Sequence, residues 1–133
     1  MEHPAWSCPA CSQATRPDQS PGELICAHCG QLLWLEKSGR AGKAKQIRVP
    51  WEAVDSNNAL ALQELLTDAS RSVDRLLVDL SAVDLIASSG LAVFVSVQKR
   101  LRPGGKAIVL REPRPFVRKM LKTVGFDAML GLD

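Results

Sequence analysis

The stretch VDLSAVDLIASSGLAV, residues 78–93, decides how the chain folds. Its left part completes the run RLLVDL, residues 75–80, which is apolar without alternation, as in a strand buried on both faces of a parallel sheet. Its right part sets Ser88, Ser89 and Gly90 ahead of LAVFVSVQKRL, residues 91–101, a helix-forming run that ends at Pro103, Gly104 and Gly105. A strand, a short loop and a helix in that order make half of a parallel crossover unit.

Working outward, the same alternation continues. Ala107 to Leu110 reads as a strand, Phe116 to Val124 as a last helix stopped by Gly125, and the residues from Phe126 as a tail that packs back. Upstream, Ile47 to Val49 forms a short strand ended by Pro50. A helix capped by Asp55 or Ser56 then carries Ala59, Leu62, Leu65, Leu66 and Ala69 on one face. Phe116, Met120, Leu121, Phe126 and Met129 are expected to pack the last helix on the sheet. The pattern predicts an α/β fold with crossover helices.

The first quarter differs. Cys8 and Cys11 form one Cys-x2-Cys pair, and Cys26 and Cys29 form another after fourteen intervening residues. Two such knuckles bring four thiolates to the tetrahedral positions zinc prefers, which closes the shell and leaves His3 and His28 as bystanders. The segment has few other residues to bury, chiefly Trp6, Leu24, Ile25, Leu32, Leu33 and Trp34, so the metal supplies its folding free energy. A turn-rich tip from Arg16 to Gly22 joins two short strands, and Gly30 suits the sharp turn after the last ligand. This resembles a zinc ribbon, with structural zinc.

The expected organisation is a four-cysteine zinc ribbon over residues 1–36, a basic flexible linker over 37–46 and an α/β domain over 47–133. The last ribbon strand, Leu32 to Glu36, is a candidate edge strand for that domain. The chain of 133 residues has 46% apolar and 23% charged side chains, enough for one full core plus a small appendage. Its longest central apolar run, residues 91–95, is too short to span a bilayer, and its start lacks the features of a signal peptide. A cytoplasmic location without membrane contact is the expectation.

Charge argues weakly for nucleic acid. The net +3 falls to about +1 once four thiol protons are exchanged for a divalent metal. Between Lys99 and Lys122 nine basic residues face only Glu112, yet a solvated helix face explains that block more simply than a nucleic-acid groove. Asp79 and Asp84 have no nucleophile or metal partner near them in sequence, so an enzyme active site and a small-molecule substrate are not expected.

The order of elements around the two serines resembles a STAS domain, the family named for sulphate transporters and anti-sigma factor antagonists. The resemblance covers about Ile47 to Asp133. It implies a STAS-like sheet and identifies Ser88, with Ser89 as the alternative, with the serine that a partner kinase phosphorylates. The family usually has Asp-Ser-Ser/Thr-Gly there, whereas this chain has Ala87 in the aspartate's place. The implied docking residues are Ala87, Ser88, Ser89, Gly90, Leu91 and Phe94. The implied partner is an anti-sigma-type serine kinase or another STAS-binding regulator.

A phosphate on Ser88 would sit at the start of a helix, where unpaired N–H groups and the helix dipole accommodate it, and would add negative charge to any docked surface. Gly90 is expected to leave the serines open to an approaching kinase. The competing reading is that Ser88 or Ser89 merely caps the helix. Two rival functions stand beside the switch: a STAS scaffold that is never phosphorylated, and a nucleic-acid-binding adaptor.

Overall fold

The computed structural model describes residues 8–11, 22–36 and 41–126, and the backbone of 131–132. The first strands, β1 (Gly22–Ile25) and β2 (Leu32–Leu35), form an antiparallel hairpin. Next come β3 (Ala41–Arg48), β4 (Ala53–Val54), α1 (Ala59–Ser70), β5 (Arg75–Asp79), β6 (Leu85–Ile86) and α2 (Ser88–Leu101). A 3-10 turn at Arg102–Gly104 leads to β7 (Ala107–Arg111), α3 (Pro115–Thr123) and β8 (Gly131–Leu132). The main sheet runs β1-β2-β3-β5-β7-β8, antiparallel through the hairpin and parallel from β3 onward. It is the mixed α/β architecture expected from the sequence.

The hairpin is part of this sheet. Leu33, Trp34 and Leu35 pair with Lys43, Gly42 and Ala41, while Ala44 to Arg48 pair with Arg75 to Asp79. Residues 41–46, expected in a flexible linker, are therefore the first six residues of β3. The run AGKAKQ has no apolar alternation to announce a strand; partners on both edges supply its backbone bonds instead. The turn-rich tip at 16–21 and Met129 lie outside the described residues.

Alternate side chains of a strand point to opposite faces, and the two faces of this sheet differ. Leu76 and Val78 of β5 and Ile108 and Leu110 of β7 share one core with Leu62 and Leu66 of α1, Phe94 and Val97 of α2, and Val117 and Leu121 of α3. Leu77 and Val109 point the other way and are also buried, outside that core. On their face Arg75 bonds Glu36 at 2.5 Å and Arg111 bonds Glu23. These two ion pairs tie the hairpin to the face opposite the helix-side core.

Two local expectations change. The N-cap of α1 is Asn58. Asp55 does not cap it because its carboxylate accepts the N–H of Asn57 at 2.9 Å, while Asn58 bonds Asp55 N–H and Ala53 carbonyl and fixes the approach. On α3, Val117 and Leu121 are buried and Met120 packs on the core, but Phe116 is 64% exposed. Phe116 is turned about 100° around the helix axis from the buried Val117, away from the Val117–Leu121 stripe, and Phe126 is buried as expected.

Candidate functional site

Two groups of residues carry chemistry. The first is the cysteine cluster. Cys26 to Gly30 form the turn between β1 and β2, closed by Gly30 N–H to Cys26 carbonyl and Cys26 N–H to Gln31 carbonyl, both 2.9 Å. Gly30 has φ +76°, a left-handed conformation that closes the sharp turn expected after the last cysteine. The second knuckle, Cys8 to Cys11, lies against this turn. Cys8 Sγ is 3.8 Å from Cys29 Sγ and Cys11 Sγ is 3.7 Å from Cys26 Sγ, and the four sulphurs lie within 4.8 Å of one another. Ligands at about 2.3 Å from a tetrahedral ion stand about 3.8 Å apart, so the two shortest separations match a four-sulphur metal site and the cluster could hold an ion.

Electrostatics favour that use at Cys26 and oppose it at Cys29. The backbone N–H groups of Cys29 and then His28 point at Cys26 and lower its thiol from 9.0 to about 6, toward the metal-binding thiolate. The N–H of Gln31 acts in that sense on Cys29, but desolvation and the Cys26 sulphur outweigh it and raise Cys29. All four cysteines are free thiols, and His28 is exposed and outside the cluster.

The second group is the corner where β6 enters α2. Ala53 and Val54 pair in parallel with Leu85 and Ile86, and Ala87 N–H bonds Val54 carbonyl at 2.7 Å. Pairs this short leave no periodic trace in a sequence. Ala87 is the N-cap of α2 and no side chain caps the helix, so neither serine is the cap. Ser88 is exposed and Ser89 half-buried in the first turn, which contains no acidic residue.

Around Ser88 the surface differs from the expected docking set. Ala87 and Leu91 are partly exposed, but Phe94 is fully buried in the core and Gly90 is buried beneath the turn. A Cβ on Gly90 would meet Val54 and Ile86 side chains at 2.5 and 2.9 Å. The glycine therefore lets α2 settle on the β4–β6 pair; it does not hold the loop open. The apolar groups that do face outward are Leu85, 47% exposed, and Ala92.

The loop before β6 is held by charge. Asp79 accepts the Ser81 N–H at 2.8 Å and Arg48 reaches Ser81 Oγ at 3.4 Å. Arg114 donates to Ser81 carbonyl at 2.8 Å and pairs with Asp84. Desolvation would raise Asp79, but the Ser81 N–H and hydroxyl, with Arg48 and Arg111 nearby, bring it below the usual carboxylate value. Both aspartates thus have structural partners distant in sequence. Of the basic block, Arg111 and Arg114 hold acidic side chains, and Lys106 bonds the Ser70 and Arg71 carbonyls at the end of α1, both at 3.1 Å. Among the described residues no helix is long and apolar enough to cross a membrane.

Comparison with known proteins places this geometry. The family described as "Mlab, STAS domain" matches residues 40–131. The "Putative anti-sigma factor antagonist BtrV" of Bordetella bronchiseptica is 38% identical over 74 residues, which are 55% of this chain and 64% of that protein. The match thus spans somewhat under two thirds of that relative's length. Among solved structures, the anti-sigma factor antagonist SpoIIAA in its unphosphorylated form superposes with a TM-score of 0.58 at 18% identity, covering 76% of this chain and 87% of its own. The solution structure of TM1081 from Thermotoga maritima gives 0.58 at 16% identity, with 90% of each chain covered. At these identities the two structures are a likeness of fold.

Proposed function

We propose that this chain, which belongs to the STAS domain family, acts as an anti-sigma factor antagonist in a cytoplasmic partner-switching pathway and is switched by phosphorylation of Ser88. In its unphosphorylated form it docks through the β6–α2 corner on an anti-sigma-type serine kinase and so frees the factor that kinase holds. The kinase supplies ATP and catalysis. Ser88 Oγ attacks the γ-phosphorus, the bond to the ADP oxygen breaks, and the hydroxyl proton passes to a base of the kinase. The new phosphate, with nearly two negative charges, then breaks the contact by repulsion and desolvation.

The observation that carries this reading is an exposed Ser88 in the first turn of a helix whose N-terminus no side chain caps. The first-turn N–H groups and the positive end of the helix dipole are available to a phosphate there. The four-cysteine cluster would hold zinc as a structural ion, which needs no open coordination position. Zinc would stabilise the hairpin, and no chemical step passes through it.

One observation favours a second reading. Ala87 stands at the N-cap where the resembling pattern has aspartate, as it would in a docking module that is never phosphorylated. The test is a pull-down from native lysate with ADP present, comparing the wild-type chain with Ser88→Asp. A serine kinase retained by the wild type and lost by the variant supports the switch. Equal retention of the same kinase by both forms supports the permanent module, and retention of nucleic-acid-associated proteins alone overturns both.

A further inference from the structure

We propose that the metal-holding hairpin braces the corner that carries Ser88, so that loss of the metal loosens the loop between β5 and β6. The inference rests on the metal reading above. It makes metal loading an input to the docking surface and gives the ribbon a role beyond its own stability.

The hairpin's only described core is Cys8, Cys26, Leu33 and Leu35, with Cys11, Leu24 and Ala41 packed against it. Three of those seven residues are metal ligands, so without an ion the hairpin keeps little to fold around. The hairpin is thus the element with two states, and the metal biases which one is populated.

From it a continuous chain of polar contacts leads to the corner. Glu23 of β1, three residues before Cys26, pairs with Arg111 at the end of β7. Arg111 lies opposite Asp79 in the β5–β7 register, and its carbonyl accepts the Leu80 N–H at 2.9 Å, one residue before Ser81. Asp79 holds Ser81 by its N–H, Arg48 reaches the Ser81 hydroxyl, and Arg114 ties Ser81 carbonyl to Asp84. Asp84 N–H bonds Glu52 carbonyl at 2.6 Å and begins the short β6 pairing that ends at Ala87, next to Ser88. The other bridge, Glu36 to Arg75, stands at the opposite end of β5 and does not touch this loop.

The test is hydrogen exchange by mass spectrometry on the full chain, with zinc bound or removed by chelation, alongside zinc stoichiometry. Chelation is expected to speed exchange over residues 81–87 by roughly tenfold, while α1 stays protected. Glu23→Gln with zinc still bound should speed the same peptides by about threefold, the scale of one partly exposed ion pair, with the hairpin still protected. Glu36→Gln should leave them unchanged. If zinc binds and its removal exposes the hairpin but not residues 81–87, the brace is overturned and the metal reading stands. If zinc does not bind at all, the metal reading fails and the brace falls with it.

Discussion

Gly90 and Val54 are packed so closely that the Cβ glycine lacks would stand 2.5 Å from Val54 Cγ1. Gly90→Ala should therefore force α2 off the β4–β6 pair and destabilise the fold by about 1–3 kcal/mol, the range for overpacking. Pairing it with Val54→Ala should recover part of that loss, because the second change removes the obstructing methyl group. Urea denaturation of the two single variants and the double variant measures this. A Gly90→Ala midpoint equal to wild type would mean that the corner is not packed this tightly.

Two phenylalanines separate core from surface. Phe94 is fully buried in the core and Phe116 is 64% exposed. Phe94→Ala should cost about 3–5 kcal/mol, whereas Phe116→Ala should stay within about 0.5 kcal/mol of wild type. The same denaturation experiment checks both. A comparable loss from both variants would place Phe116 in a core it does not reach here.

Asp79 gives a pH signature. Its folded pKa lies below the ordinary value of 3.8, so its stabilisation is present above that pH and is lost as pH falls through the folded value. Asp79→Asn should cost about 1.5 kcal/mol at pH 7, the scale of a hydrogen bond to a charged group. The difference from wild type should shrink in strongly acidic buffer. Stability curves for both proteins across acid pH test it, and a difference that does not change with pH would remove the carboxylate's charge from the account.

Some of this was legible in residue order alone. β5 announced itself because a strand buried on both faces must be apolar throughout, and α2 because Ser88 and the Pro103-Gly104-Gly105 stop bracket one helical run. The cysteine cluster was legible because two Cys-x2-Cys pairs have the spacing that a four-thiolate metal site requires. The rest depends on contacts distant in the chain. Residues 41–46 are a strand only because β2 and β5 flank them. Glu23 and Arg111 meet across 88 positions, and Glu36 and Arg75 across 39. Following two serines in the sequence, Gly90 reads as an opening, but its neighbours in space are Val54 and Ile86.

The uncapped start of α2 yields the last prediction. Ala87 occupies the N-cap with extended backbone, φ −76° and ψ 168°, the conformation from which an Asp side chain reaches the first-turn N–H groups. Ala87→Asp should raise stability by about 1 kcal/mol through that bond and the helix dipole. Ser88→Ala should leave stability within about 0.5 kcal/mol of wild type, since the hydroxyl caps nothing. Ser88→Asp, which puts a charge in a first turn that has none, should gain a few tenths of a kcal/mol. Thermal melts of the three variants decide between the two readings of the serine. If Ser88→Ala loses as much as a missing cap does, about 1 kcal/mol, Ser88 is a helix cap and its exposure stops being an argument for phosphorylation.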